Sequence, residues 1–145
     1  MRMLLRPLVL GALTASALLP FAVSAGAQTA GDFEDTRVEV SPGCAGTVRT
    51  EVSVAPLPTN AEGVAVAVMF RADRQDPACA TTATMTWRNV DSGATGSQDV
   101  TVSSVPESIG PFPTDHGYKR ALADTGPGTV VVTITTNPGE ISVTV

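Results

Sequence analysis

Val132-Thr133-Ile134-Thr135-Thr136-Asn137-Pro138-Gly139-Glu140-Ile141-Ser142-Val143-Thr144-Val145 is the stretch whose reading decides the fold. Apolar and hydroxyl-bearing residues alternate on both sides of Asn137-Pro138-Gly139-Glu140, the period of a pleated strand rather than a helix. Pro138 presets φ at the second position of a type II turn and Gly139 supplies φ > 0 at the third. A hairpin folded there sets Thr136 opposite Ile141, Ile134 opposite Val143 and Val132 opposite Val145 on one face. Thr135 then faces Ser142, and Thr133 faces Thr144, on the other. A slip of one residue would mix the two faces, so the pattern specifies a register.

The same alternation continues upstream. Only Leu57 and Leu122 are leucines after residue 27, while Val and Thr dominate, a composition that favours pleated surfaces over helices. Residues 37–41 place Val38 and Val40 on one face. Residues 47–54 place Val48, Val52 and Val54 inward and Arg49, Glu51 and Ser53 outward. In residues 64–70, Val64, Val66, Val68 and Phe70 share a face, and Ala65, Ala67 and Met69 make the other apolar too. Such a strand is central or covered. Residues 82–89 set Ala83, Met85 and Trp87 against Thr84, Thr86 and Arg88, and residues 99–103 form a shorter strand after a Gly-rich turn. Tyr118, Arg120 and Leu122 alternate within a further strand over 117–123.

Seven or eight short strands separated by Gly/Pro turns predict an all-β, two-layer antiparallel β-sandwich, immunoglobulin-like, with a small β-barrel as the alternative. Trp87 beside a disulfide would echo immunoglobulin domains, although the order here is Cys-Cys-Trp. The chain's 145 residues, 43% of them hydrophobic, hold one such domain.

The N-terminus reads as an address. Arg2 and Arg6 precede an apolar stretch over 8–19, Pro20 ends it, and small residues follow. This is the pattern of a secretory signal peptide over 1–27, cleaved after Ala25 or Ala27, which would leave no stable membrane span. Asp32, Glu34 and Asp35 then suggest a mobile acidic arm over 28–36, ahead of a single domain over 37–145. The expected location is extracellular or the cell envelope. Cys44 and Cys79, the only cysteines, are most simply one disulfide in that compartment.

Composition also bounds function. Nine basic residues against 14 acidic ones, a net charge of −5, exclude the basic face that phosphate binding requires, so no nucleic acid partner is expected. His116 is the only histidine, which with a paired set of cysteines leaves no ligand set for zinc or copper; no metal and no cofactor are expected. There is no Gly-x-Ser-x-Gly elbow, Asp115 is the immediate sequence neighbour of His116 and poorly placed to orient it, and no enzyme is expected. Asp73 and Asp76 read as members of a salt-linked loop.

The stretch 105–128 is too long for an ordinary connection, and its 106–116 part holds three prolines. Phe112, His116, Tyr118, Lys119 and Arg120 form the candidate binding patch, because aromatic residues and arginine supply most interface hot spots. The competing expectation turns Tyr118 and Leu122 inward and leaves Lys119 and Arg120 in solvent. The expected function is a non-enzymatic interaction module whose partner is another secreted or envelope protein. The alternative is a secreted inhibitor or small-ligand carrier using the loops at one end of the sandwich.

Overall fold

The computed structural model describes residues 28–106 and 114–145. Nine strands run through them: β1 (Ala30–Asp32), β2 (Thr36–Ser41), β3 (Cys44–Pro56), β4 (Glu62–Ala72), β5 (Ala80–Asn89), β6 (Thr95–Ser103), β7 (Gly117–Ala123), β8 (Thr129–Ile134) and β9 (Asn137–Thr144). They form two antiparallel sheets. One has the order β1-β3-β4-β7 with β2 also on β3, and the other has β6-β5-β8-β9. This is a β-sandwich and not a closed barrel. The chain makes the β3–β4 and β5–β6 hairpins in opposite sheets, then returns β7 to β4 and β8 to β5. That return interlocks the two sheets.

The core is built from the faces that alternation predicts. Val48 and Val52 of β3, and Val64, Val66, Val68 and Phe70 of β4, meet Ala83 and Met85 of β5 across the gap, all essentially inaccessible. β-branched valines lose little rotamer freedom on a pleated sheet, and burying each side chain contributes about 1.5–3 kcal/mol. β4 is the central strand, flanked by β3 and β7. Val38 packs on the core, whereas Val40 is 46% exposed beyond it.

The last hairpin folds in a different register from the expected one. Val132 pairs with Ile141, Val131 with Ser142 and Val130 with Val143, four positions earlier than the turn at Asn137-Pro138-Gly139-Glu140 would place them, and Ile134 pairs with Asn137, six positions earlier. The chain reverses instead at Thr135-Thr136, and residues 138–140 become a bulge in β9, where the register shifts and Gly139 takes φ +94°. Proline tolerates a bulge because no ladder hydrogen bond is asked of it. The tertiary demand of Asn137 decides the outcome. Its amide is buried in the sandwich, where it accepts hydrogen bonds from Thr50 Oγ1 (2.9 Å) and Thr136 Oγ1 (2.8 Å) and donates to the carbonyls of Glu34 (2.9 Å) and Val48 (3.0 Å). An even displacement keeps every side chain on its face, so the expected inward set, Val132, Ile134, Ile141 and Val143, survives with different partners. Beyond the hairpin, Val145 and Gly128 exchange both backbone hydrogen bonds at 2.9 Å, which carries the ladder to the last residue.

Residues 28–36 are not a free arm. Ala30, Gly31 and Asp32 pair with Ser53, Val52 and Glu51, Phe33 is only 5% exposed in the core, and the Thr144 N–H donates to the Gln28 carbonyl. The acids in this stretch point to solvent around one buried aromatic ring. Gln28 thereby bridges the seam between β1 and β9. At the opposite seam β7 lies against β6, so closely that a Cβ on Gly117 would stand 1.6 Å from the Ser103 carbonyl oxygen.

Cys44 and Cys79 form the disulfide, both buried, tying the start of β3 to the approach to β5. Trp87 is not beside it. Eight residues of extended chain, about 26 Å, separate Trp87 from Cys79, and the indole covers Gly96 on the neighbouring strand. Asp73 is salt-linked as expected, accepting a bidentate pair from Arg37, while the Asp76 carboxylate caps the Ala78 N–H at 2.9 Å.

Candidate functional site

The two outer faces of the sandwich differ in chemistry. On the four-stranded sheet, Thr82 bonds Thr101 (3.0 Å), Thr84 donates to Asp99 (2.7 Å), and Thr86 stands beside Ser97. Thr133 and Ser142 continue that surface by alternation. It is a hydroxyl face whose groups satisfy one another and water.

The five-stranded sheet presents cross-strand rows of another kind. One row sets Arg37, Thr47 and Arg71 side by side, the next Arg49, Met69 and Tyr118, and the next Asp32, Glu51, Ala67 and Arg120. A last row runs Ser53, Ala65 and Leu122. Small alanines on the central strand, with longer side chains on β3 and β7, leave β4 lower than its neighbours.

An apolar cluster closes one end of this face. A Cβ on Gly63 would meet Leu57 Cδ2 at 2.9 Å, so Leu57 folds back over the outer side of β4. Ala55, Leu57 and Ala65 are buried, yet none of them belongs to the sandwich core. Leu122, the cross-strand neighbour of Ala65, is 41% exposed. Both leucines beyond residue 27 thus lie outside the core and on this face.

Charge gathers at the other end. A groove of about 400 Å³ is lined by Asp35, Thr47, Arg49, Met69, Arg71 and His116. Arg49 pairs with Glu51 at 3.0 Å, and one oxygen of Asp115 accepts from both Arg71 Nη2 (2.9 Å) and His116 Nδ1 (3.0 Å). Adjacency in sequence therefore does not prevent Asp115 from orienting the imidazole. The hydrogen bond from His116, and then that from Arg71, hold the Asp115 carboxyl below the usual carboxylate range. The groove lining contains arginines, a histidine and a carboxylate but no serine or cysteine. A second hollow, of about 520 Å³, lies beside the disulfide between residues 41–44 and 74–79.

Of the five residues of the expected patch, the structure brings together three. His116, Tyr118 and Arg120 line the same outer face, with Tyr118 half-buried against the Met69 row. Lys119 falls on the opposite face of β7, exposed where that strand borders the sheet. Phe112 and most of the 106–116 connection lie outside the described residues, as does the expected signal peptide. Tyr118 and Leu122 do not turn into the core. Gly117, Ala121 and Ala123 occupy buried inward positions of β7 on either side of the exposed Lys119, and at Gly117 the approach of β6 leaves no room for a side chain. Sequence reasoning missed Arg49, Arg71 and Met69, which reach the site through register. The outward alternation of 47–54 signals Arg49 and the two-sided apolar pattern of 64–70 signals Met69, whereas Arg71 lies just beyond both.

Among the described residues no group of three or more His, Cys, Asp or Glu side chains converges as a metal site, and no helix is long and apolar enough to cross a membrane. Comparison with protein families, curated proteins and solved structures finds no match to this chain.

Proposed function

We propose that this protein is a small exported, non-enzymatic interaction module that engages another secreted or envelope protein through the outer face of the five-stranded sheet. The observation that carries the reading is the placement of both leucines. Leu57 and Leu122 are withheld from the core and gathered with Ala55 and Ala65 on a face that also bears Tyr118 and four arginines, Arg37, Arg49, Arg71 and Arg120. Apolar anchors ringed by arginine and aromatic side chains are the composition of protein interfaces. The opposite face, mostly hydroxyls with Asp99 and Arg88 among them, is that of a solvated sheet. The disulfide supports an oxidising compartment, and the His116–Asp115 pair facing Arg71 supports a positioning role for charge rather than a nucleophile–base relay.

A photo-crosslinking residue in place of Leu122, compared with one in place of Thr84 on the hydroxyl face, tests this in the exported fraction of the producing cell. A discrete adduct from position 122 and none from 84 is expected. Equal labelling from both faces, or none from 122, overturns the reading. A small mass retained in native mass spectrometry would favour the carrier alternative, with the hollow beside the disulfide as the place to look.

A further inference from the structure

The edge of β7 points to what such a partner presents. β7 ends its sheet: among the described residues no strand pairs with its far side, and no backbone hydrogen bond outside the β4 ladder reaches residues 118–123. In an antiparallel ladder every second residue directs its N–H and C=O away from the paired strand, so β7 carries a row of donors and acceptors that no described backbone group fills. Proteins guard such edges with proline, bulges or charge. β7 has seven residues, no proline and an unbroken register against β4, and its one guard is the pair Lys119–Arg120.

That pair is not neutralised from within. Arg37, Arg49 and Arg71 each have an acidic partner, whereas Lys119 and Arg120 are exposed and have none among the described residues. Two cations left unpaired on an open edge, in a chain of net charge −5, attract an acidic strand and repel a second copy of β7, which would bring four cations together. Tyr118, Arg120 and Leu122 share one face at the spacing of alternate residues, so an added strand would meet them with its own alternate residues.

We propose that β7 accepts, as an added edge strand, an extended polypeptide segment of the partner in which an acidic residue is flanked at alternate positions by apolar ones. The acid lies beside Arg120 and the apolar residues lie beside Tyr118 and Leu122. Main-chain hydrogen bonds supply affinity and this alternation supplies selectivity. The inference rests on the outer face being the interaction surface.

The test uses the isotope-labelled protein and two capped synthetic peptides, Val-Thr-Glu-Thr-Phe and the same peptide with Lys in place of Glu. Alternate amides of residues 118–123 should gain exchange protection, and the Glu peptide should bind about fivefold tighter than the Lys peptide, the difference between attractive and repulsive exposed pairs. Arg120→Glu should invert that order with the fold unchanged by circular dichroism. Shifts that map elsewhere, equal binding of both peptides, no binding at millimolar peptide, or dimerisation through β7 would each overturn strand addition. Those results with the Leu122 cross-link intact leave the interaction surface standing, whereas loss of the cross-link removes both.

Discussion

Asn137 shows how much one side chain decides. Three of its four hydrogen bonds join β9 to β3 and to the link between β1 and β2, the fourth comes from Thr136 of the turn, and every donor and acceptor on the amide is used. A fully satisfied buried amide stabilises, and removing it strands the groups that faced it. Asn137→Ala should cost about 3 kcal/mol, read from urea unfolding, because the Glu34 and Val48 carbonyls and the Thr50 hydroxyl lose their partner together. Asn89 does the same at another turn, donating to the carbonyls of Thr125 and Pro127 and accepting from the N–H groups of Asp91 and Ser92. The exposed carboxylates act on a smaller scale. Asp115 and Asp73 both have folded pKa values below the ordinary 3.8, the first through His116 and then Arg71, the second through Arg37. A lowered carboxylate contributes stability that is fully present above its unfolded value and is lost as pH falls through the folded one. Thermal melts of Asp73→Asn and Asp115→Asn should therefore differ slightly from the parent at pH 5–7 and converge with it in acid below the ordinary carboxylate pKa.

At the scale of elements, alternation carried most of the information. It located the central strand, the inward faces of β3, β5 and β8, and even the existence of β7, because period-two patterning is a local property. Pairing partners are not local. Asn137-Pro138-Gly139-Glu140 has better turn chemistry than Thr135-Thr136, yet the sandwich uses the latter and spends the former on a bulge. Two glycines measure this difference. Gly139 has a positive φ and open space around it, so Gly139→Ala meets only backbone strain, about 1 kcal/mol in urea unfolding. Gly117→Ala drives a methyl group into the Ser103 carbonyl and must part β6 from β7; at least about 3 kcal/mol, or failure to fold, is expected. The candidate site was legible only along β7, since Arg49, Met69 and Arg71 meet it through two further registers that no single strand reveals. Residues 28–36 were misread for a related reason. Their acids dominate the composition, whereas the buried Phe33 and the backbone pairing with β3 and β9 decide where they sit.

For the whole molecule, the Cys44–Cys79 link closes a loop containing the β3–β4 hairpin and ties the end of one sheet to the other. In the chain-entropy account, Cys44→Ala with Cys79→Ala should lower stability by about 4 kcal/mol, seen as a lower urea midpoint with a steeper slope, because the uncrosslinked unfolded chain exposes more surface. The seam bridged by Gln28 has a different kind of consequence. Because the Gln28 carbonyl takes the Thr144 N–H, the first and last strands of the sandwich adjoin, and the sandwich can be rejoined there and opened elsewhere. A circular permutant that joins Val145 to Gln28 through a short flexible linker and opens between Thr59 and Asn60 keeps all the ladders and frees Asn60 from its φ of 64°. Its equilibrium stability should stay near the parent's. Its refolding, followed by Trp87 fluorescence, should slow, since the β3–β4 pairing becomes the most distant in sequence instead of the nearest.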